Sequence, residues 1–152
     1  MRIRIICEGK TKDERLRSLQ SDYAARIRHF APLEVDEIRP GVRGAKRDHL
    51  TPVERRLLDK KPGCRMVALD ERGQHWTSAE LARWMSESAL QGVREIAFLV
   101  GGPEGFSEAF RGQADTLLAL SRMTLTRDWA RTLLLEQIYR AFTIERGYPY
   151  PR

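Results

Sequence analysis

The sequence predicts an α/β fold in one domain: a mainly parallel sheet flanked by helices. Three observations carry this. Short apolar runs alternate with longer segments of helical periodicity. The run Ile96-Ala97-Phe98-Leu99-Val100 is apolar on both faces, as in an inner strand covered by helices on both sides. The 152 residues contain no repeat, low-complexity tract or linker-like stretch, which fits a single domain spanning 1–152.

The elements follow in order. Arg2 to Cys7 carries Ile3, Ile5 and Ile6, a β-branched run that predicts the first strand. Gly9-Lys10-Thr11 turns the chain. Leu16, Leu19, Tyr23, Ile27 and Phe30 recur at steps of three and four, giving a helix with one apolar face. A short strand is expected from Leu33 to Ile38. A basic loop follows, Arg39-Pro40-Gly41-Val42-Arg43-Gly44-Ala45-Lys46-Arg47. Thr51-Pro52-Val53-Glu54 has the pattern of a capping box with proline in the first turn, and its helix should stop by Pro62-Gly63.

Met66-Val67-Ala68-Leu69 predicts a short buried strand ending at Asp70, with Asp70-Glu71-Arg72-Gly73 as the turn beyond it. Thr77-Ser78-Ala79-Glu80 is a second capping box, ahead of a helix striped by Leu81, Trp84, Met85 and Ala89. After the strand at Ile96–Val100, another is expected over Thr116 to Leu120. The last helix should run from Asp128 to about Arg146, stopped by Gly147 and Pro149. Its stripe of Ala130, Leu133, Leu134, Ile138, Ala141 and Phe142 is widened by Leu135 and Tyr139. Either this helix is deeply inserted in its own domain, or one side meets the core and the other a second subunit.

Composition narrows the function. The net charge is +6 and the pI about 9.7, which attracts polyanions or simply keeps a protein soluble. No long uncharged run suggests a membrane span, and the N-terminus reads as a strand rather than a signal peptide. Cys7 and Cys64 form no CxxC pair and have no histidine cluster beside them. That argues against a metal site or a disulfide framework, and fits a reducing cytosol. His29, His49 and His75 lie in different elements without a matching carboxylate, and Ser107 is not in a GxSxG elbow. Gly101-Gly102-Pro103-Glu104-Gly105 is neither a P-loop nor GxGxxG, and by itself it reads as a strand-to-helix turn. Such a sparse inventory fits group transfer driven by the positioning of a reactive cofactor.

Three loops leave strand ends in one region: Asp70–Gly73, Gly101–Gly105 and Leu120–Leu125. They could converge on one pocket where apolar side chains flank a flat ligand and backbone groups bond it. Arginines are the other theme: Arg39, Arg43, Lys46 and Arg47 in one loop, Arg26 and Arg28 on the first helix, Arg127, Arg131 and Arg140 late. The ordinary reading is a solvated face; a phosphate track needs several on one surface. Arg131 and Arg140 stand nine apart, hence about 180° apart on a helix, and serve one spot only if two subunits meet.

Taken together these stretches resemble the RlmH family of SPOUT-class methyltransferases, along nearly the whole chain. The pieces that carry the resemblance are Ala68-Leu69-Asp70-Glu71-Arg72-Gly73 with Ser78, Leu99-Val100-Gly101-Gly102-Pro103-Glu104-Gly105 and Leu120-Ser121-Arg122-Met123-Thr124-Leu125. Leu135-Glu136-Gln137-Ile138-Tyr139-Arg140-Ala141-Phe142 and the tail Gly147, Pro149 and Tyr150 complete it. The resemblance implies a deep C-terminal trefoil knot, over about 66–152, and a homodimer with sites at the subunit interface. It implies S-adenosyl-L-methionine held in the knot by Leu69, Gly101, Leu120, Ser121, Arg122, Met123, Thr124 and Leu125, mostly through backbone. The implied reaction methylates N3 of a pseudouridine in 23S rRNA of the assembled ribosome, with Arg140 and Tyr150 near the target base. Arg43, Arg47, Arg127 and Arg131 are the expected RNA contacts. Two positions depart from the family: Thr126-Arg127 replaces Pro-His, and Pro151 replaces the tail histidine. A retargeted or non-catalytic RNA-binding member is the alternative.

Overall fold

The structure is a computed structural model that describes residues 1–39, 49–59 and 62–151, apart from the side chain of Val53. Arg43, Arg47 and Lys46 lie outside the described residues. In chain order the elements are β1 (Arg2–Glu8), α1 (Glu14–Arg28), β2 (Leu33–Ile38), α2 (Pro52–Leu58) and β3 (Cys64–His75). They continue as α3 (Ser78–Leu90), β4 (Glu95–Val100), α4 (Glu108–Arg111), β5 (Thr116–Ala119) and α5 (Arg127–Arg146). The five strands form one sheet in the order β2-β1-β4-β3-β5, and every pairing is parallel.

β4 lies in the middle, which explains its apolarity on both faces: Ile96 to Val100 are all buried. Alternation along the strands splits the core in two. Ile5, Val67 and Phe98 point toward Ile27, Met85 and Ile138, among others, under α1, α3 and α5. Ile6, Met66, Ala68 and Leu99 point the other way, against Phe106 and Phe110. These two rings stack at 4.8 Å between centroids.

Helix ends follow the sequence signals. Asp13 caps α1 by accepting from the N–H groups of Arg15 and Leu16. Thr51 and Thr77 open α2 and α3 with complete capping boxes through Glu54 and Glu80. Thr126 caps α5, and Gly147 ends it in the left-handed conformation at φ 65°.

Several expectations are corrected. Leu19 is 43% exposed, and Gln20 takes the inward position, where its amide donates to the hydroxyls of Thr11 and Thr132 at 3.1 and 3.0 Å. Thr132 on α5 supplies a partner for the buried amide, and mid-helix the inward positions are Gln20 and Ala24 in place of Leu19 and Tyr23, while Leu16 and Ile27 are buried as expected. In α3 the buried positions are Leu81, Ala82, Met85 and Ser88 rather than Trp84 and Ala89. In α5, Leu135 is buried in its own chain while Leu133 is exposed. β3 does not end at Asp70: Leu69 and Gln74 both pair with Leu118, so Asp70–Gly73 leaves the ladder and returns. Gly73 must be small there, since a Cβ would lie 2.6 Å from the Leu117 carbonyl carbon. The short helix α4 was not expected. No helix among the described residues is long and apolar enough to cross a membrane.

Candidate functional site

A cavity of about 720 Å³ opens at the C-terminal ends of β3, β4 and β5. Three loops line it: Leu69–Arg72, Val100–Phe106 and residues 120–128 other than Arg122. This is where an open parallel sheet binds ligands, and the volume suits a cofactor-sized molecule. Leu69, Val100, Leu118, Leu120 and Leu125 supply apolar walls. Asp70, Glu71, Glu104, Glu108 and Asp128 put carboxylates around them, against Arg72, Arg111 and Arg127. A partly apolar molecule that carries hydroxyl groups can meet both the apolar walls and the oxygen acceptors of that lining.

Side chains tie the loops together. The Asp70 carboxylate accepts from the Arg72 main-chain N–H at 2.9 Å and from Arg111 Nη1 at 3.4 Å. Its side chain is only 8% exposed, so the ion pair with Arg111 is shielded from water. The Thr124 hydroxyl donates to Glu71 at 2.7 Å, which joins the first loop to the third. Ser121 Oγ accepts from the Met123 N–H at 2.9 Å. Arg127 donates to the main-chain oxygens of Glu8 and Lys10 at 2.8 and 3.0 Å, and to Asp128 at 3.1 Å.

The glycines of the second loop serve the chain's own packing. A Cβ on Gly101 would meet the Phe106 ring at 3.3 Å, and one on Gly102 would meet Glu8 Oε2 at 2.5 Å. Phe106 and Glu8 occupy the space that side chains at these two positions would need.

A second cluster lies further along α5. Arg140 Nη2 and Nε donate to Glu136 Oε1 at 2.6 and 3.0 Å, and Nη1 to the Pro151 carbonyl at 2.7 Å. The guanidinium carbon lies 4.5 Å from the centre of the Tyr150 ring. The Tyr150 hydroxyl lies 3.2 Å from Glu136 Oε1 and 3.0 Å from the Tyr23 hydroxyl. Burial, then the Tyr23 bond and the negative Glu136, raise the Tyr150 pKa and keep the phenol neutral. The Glu136 hydrogen bond likewise raises that of Arg140.

Leu69, Gly101, Leu120, Ser121, Met123, Thr124, Leu125 and Arg127 therefore share the cavity wall, while Arg122 does not line it. Arg140 and Tyr150 are brought together, but not to the cavity. From Ala130 at the cavity lip to Arg140 is ten residues, about 15 Å along the axis of α5. Arg131 is 8% exposed, and its Nη1 donates to Glu37 at 2.9 Å. That guanidinium is committed inside the fold, which does not fit an RNA contact. The three histidines are exposed, and Ser107 bonds the buried Glu54. Sequence reasoning missed Glu8, Arg111 and Glu136. Glu136 was readable, four residues before Arg140 on a helix; Glu8 reaches Gly102 across 94 residues and left no local signal.

Comparison with known proteins agrees with this picture. A family model described as "Predicted SPOUT methyltransferase" matches residues 1–151. A protein of Geobacter sp. (strain M21) is 45% identical over 152 residues, covering 99% of this chain and 98% of its own. A Geobacter sulfurreducens protein is 44% identical, covering 99% of both. Both carry the name "Ribosomal RNA large subunit methyltransferase H". Among solved structures, the SpoU methyltransferase AviRb from Streptomyces viridochromogenes superposes with a TM-score of 0.50 at 16% identity. The match covers 97% of this chain and 61% of that one, and supports the fold alone. Sheet, cavity and full-length match agree: the chain belongs to the SPOUT methyltransferase family.

Proposed function

We infer that this chain methylates N3 of a pseudouridine in the 23S rRNA of the large ribosomal subunit, using S-adenosyl-L-methionine. The observation that carries this is the full-length similarity to relatives named for large-subunit rRNA methylation, joined to a cavity of matching chemistry. Leu69, Gly101, Leu120, Ser121, Met123, Thr124 and Leu125 would hold the cofactor. When bound, the cofactor supplies a methyl group activated by a sulfonium. The chain binds the reactants, orients them and excludes water. The knot over about 66–152 is part of this proposal, as is a cytoplasmic location.

The working unit is a homodimer. Within one chain Arg140 and Tyr150 stand too far from the cavity to meet a base held there. At 100° per residue Trp129, Leu133, Arg140 and Ile144 fall within about 60° on α5, and the three apolar ones are exposed. A second copy covering that stripe would also meet Arg140, and could bring its own cavity to it. The dimer would carry +12, twice +6, toward an RNA loop recognised by phosphate charge and shape. The target base would be displaced from its stack to reach the site.

The test is incubation with methyl-labelled cofactor and ribosomes from a strain lacking its own enzyme. Label is expected at N3 of the pseudouridine. A folded protein that transfers none contradicts the reading.

A further inference from the structure

Glu8 stands at the C-terminal end of β1, beside β4 in the sheet, just past the pairing of Cys7 with Val100. Its side chain reaches over the strand end, and Oε2 accepts the Gly102 N–H at 2.7 Å. A Cβ on Gly102 would lie 2.5 Å from that oxygen, so carboxylate and glycine are fitted to one another. The main-chain carbonyl of Glu8 accepts Arg127 Nη1 at 2.8 Å. Glu8 therefore joins the loop after β4 to the N-terminus of α5. Gly102 and Arg127 both line the cavity; Glu8 does not.

We propose that Glu8 is a positioning residue for the cofactor: its carboxylate fixes the Gly101–Gly102 main chain in the orientation that binds S-adenosyl-L-methionine. The proposal rests on the cavity being the cofactor site. Without that charged hydrogen bond the Gly101–Gly102 main chain spends more time out of register. The cost then appears in cofactor affinity, without loss of any group that touches the cofactor.

Gly102→Ala offers an independent approach to the same bond. The new Cβ points at the mobile end of the Glu8 side chain, so it displaces the carboxylate. Glu8→Ala and Gly102→Ala should thus act through one interaction, and their effects should not add.

The experiment titrates S-adenosyl-L-methionine into the full-length protein by calorimetry, well below each variant's melting temperature. Variants are E8A, E8Q, G102A and E8A/G102A. E8A and G102A should each weaken binding about tenfold or more, the scale of a lost hydrogen bond to a charged group. The double variant should be no weaker than the worse single one. E8Q, which keeps an acceptor oxygen, should recover part of the loss. Unchanged affinity in E8A, or multiplying losses in the double variant, overturns the clamp. Absence of binding by the unsubstituted protein overturns the cavity assignment itself, and the clamp with it.

Discussion

Cys7 shows how environment overrides residue type. Its side chain is fully buried at the end of β1. Burial pushes the thiol up to about 11, although Arg131 pulls it down. The native state thus favours the neutral thiol. The stability this contributes is complete below the ordinary thiol value of 9, and declines as pH rises from 9 toward 11. At pH 8 a thiol reagent should label the half-buried Cys64 well before Cys7; labelling of Cys7 at an equal rate in the folded protein contradicts the burial. The burial of Cys7 has a local signal, because it closes an apolar strand. The burial of Arg131 has none. An arginine in a polar stretch looks solvent-facing, and the partner that draws it inward, Glu37, lies 94 positions away.

At the scale of elements, the caps and periodicities were legible because they are local. Thr51 and Thr77 each cap the helix they were expected to open, and α5 starts at Arg127, one residue before the expected Asp128. What was not legible depended on distant pairing. The excursion at Asp70–Gly73 exists because β5 re-pairs with Gln74 and His75, so a local turn signal sat inside a strand. The buried face of α1 shifted to Gln20 because α5 offers Thr132 and Asp128 as partners. α5 itself carries the core on one side, with Leu134 and Ile138 fully buried. Ile138→Ala should therefore cost about 2–5 kcal/mol, read from the denaturant midpoint at constant m-value. A loss below about 1 kcal/mol would mean that α5 is not anchored as described.

On the scale of the whole molecule, one chain builds the cavity but leaves Arg140 and Tyr150 at the other end of α5. The sequence suggested as much, through the opposed placement of Arg131 and Arg140, though Arg131 turned out to be internal. Convergence of three loops on one cavity was also readable, since each loop follows a predicted strand and parallel strands end on the same side. The clamps between those loops were not, because Glu8, Asp70 and Glu71 meet partners far away in sequence. In the proposed dimer a complete site takes its cavity from one chain and its Arg140 cluster from the other. Two variants test it: Leu120→Arg, which places a cation in the cavity, and Arg140→Ala. Each alone should abolish or sharply reduce methyl transfer to ribosomes. Co-expressed with separate tags, they should form mixed dimers with one intact site, and random pairing should restore about a quarter of the original activity. Isolated mixed dimers that remain as inactive as the single variants would contradict the account.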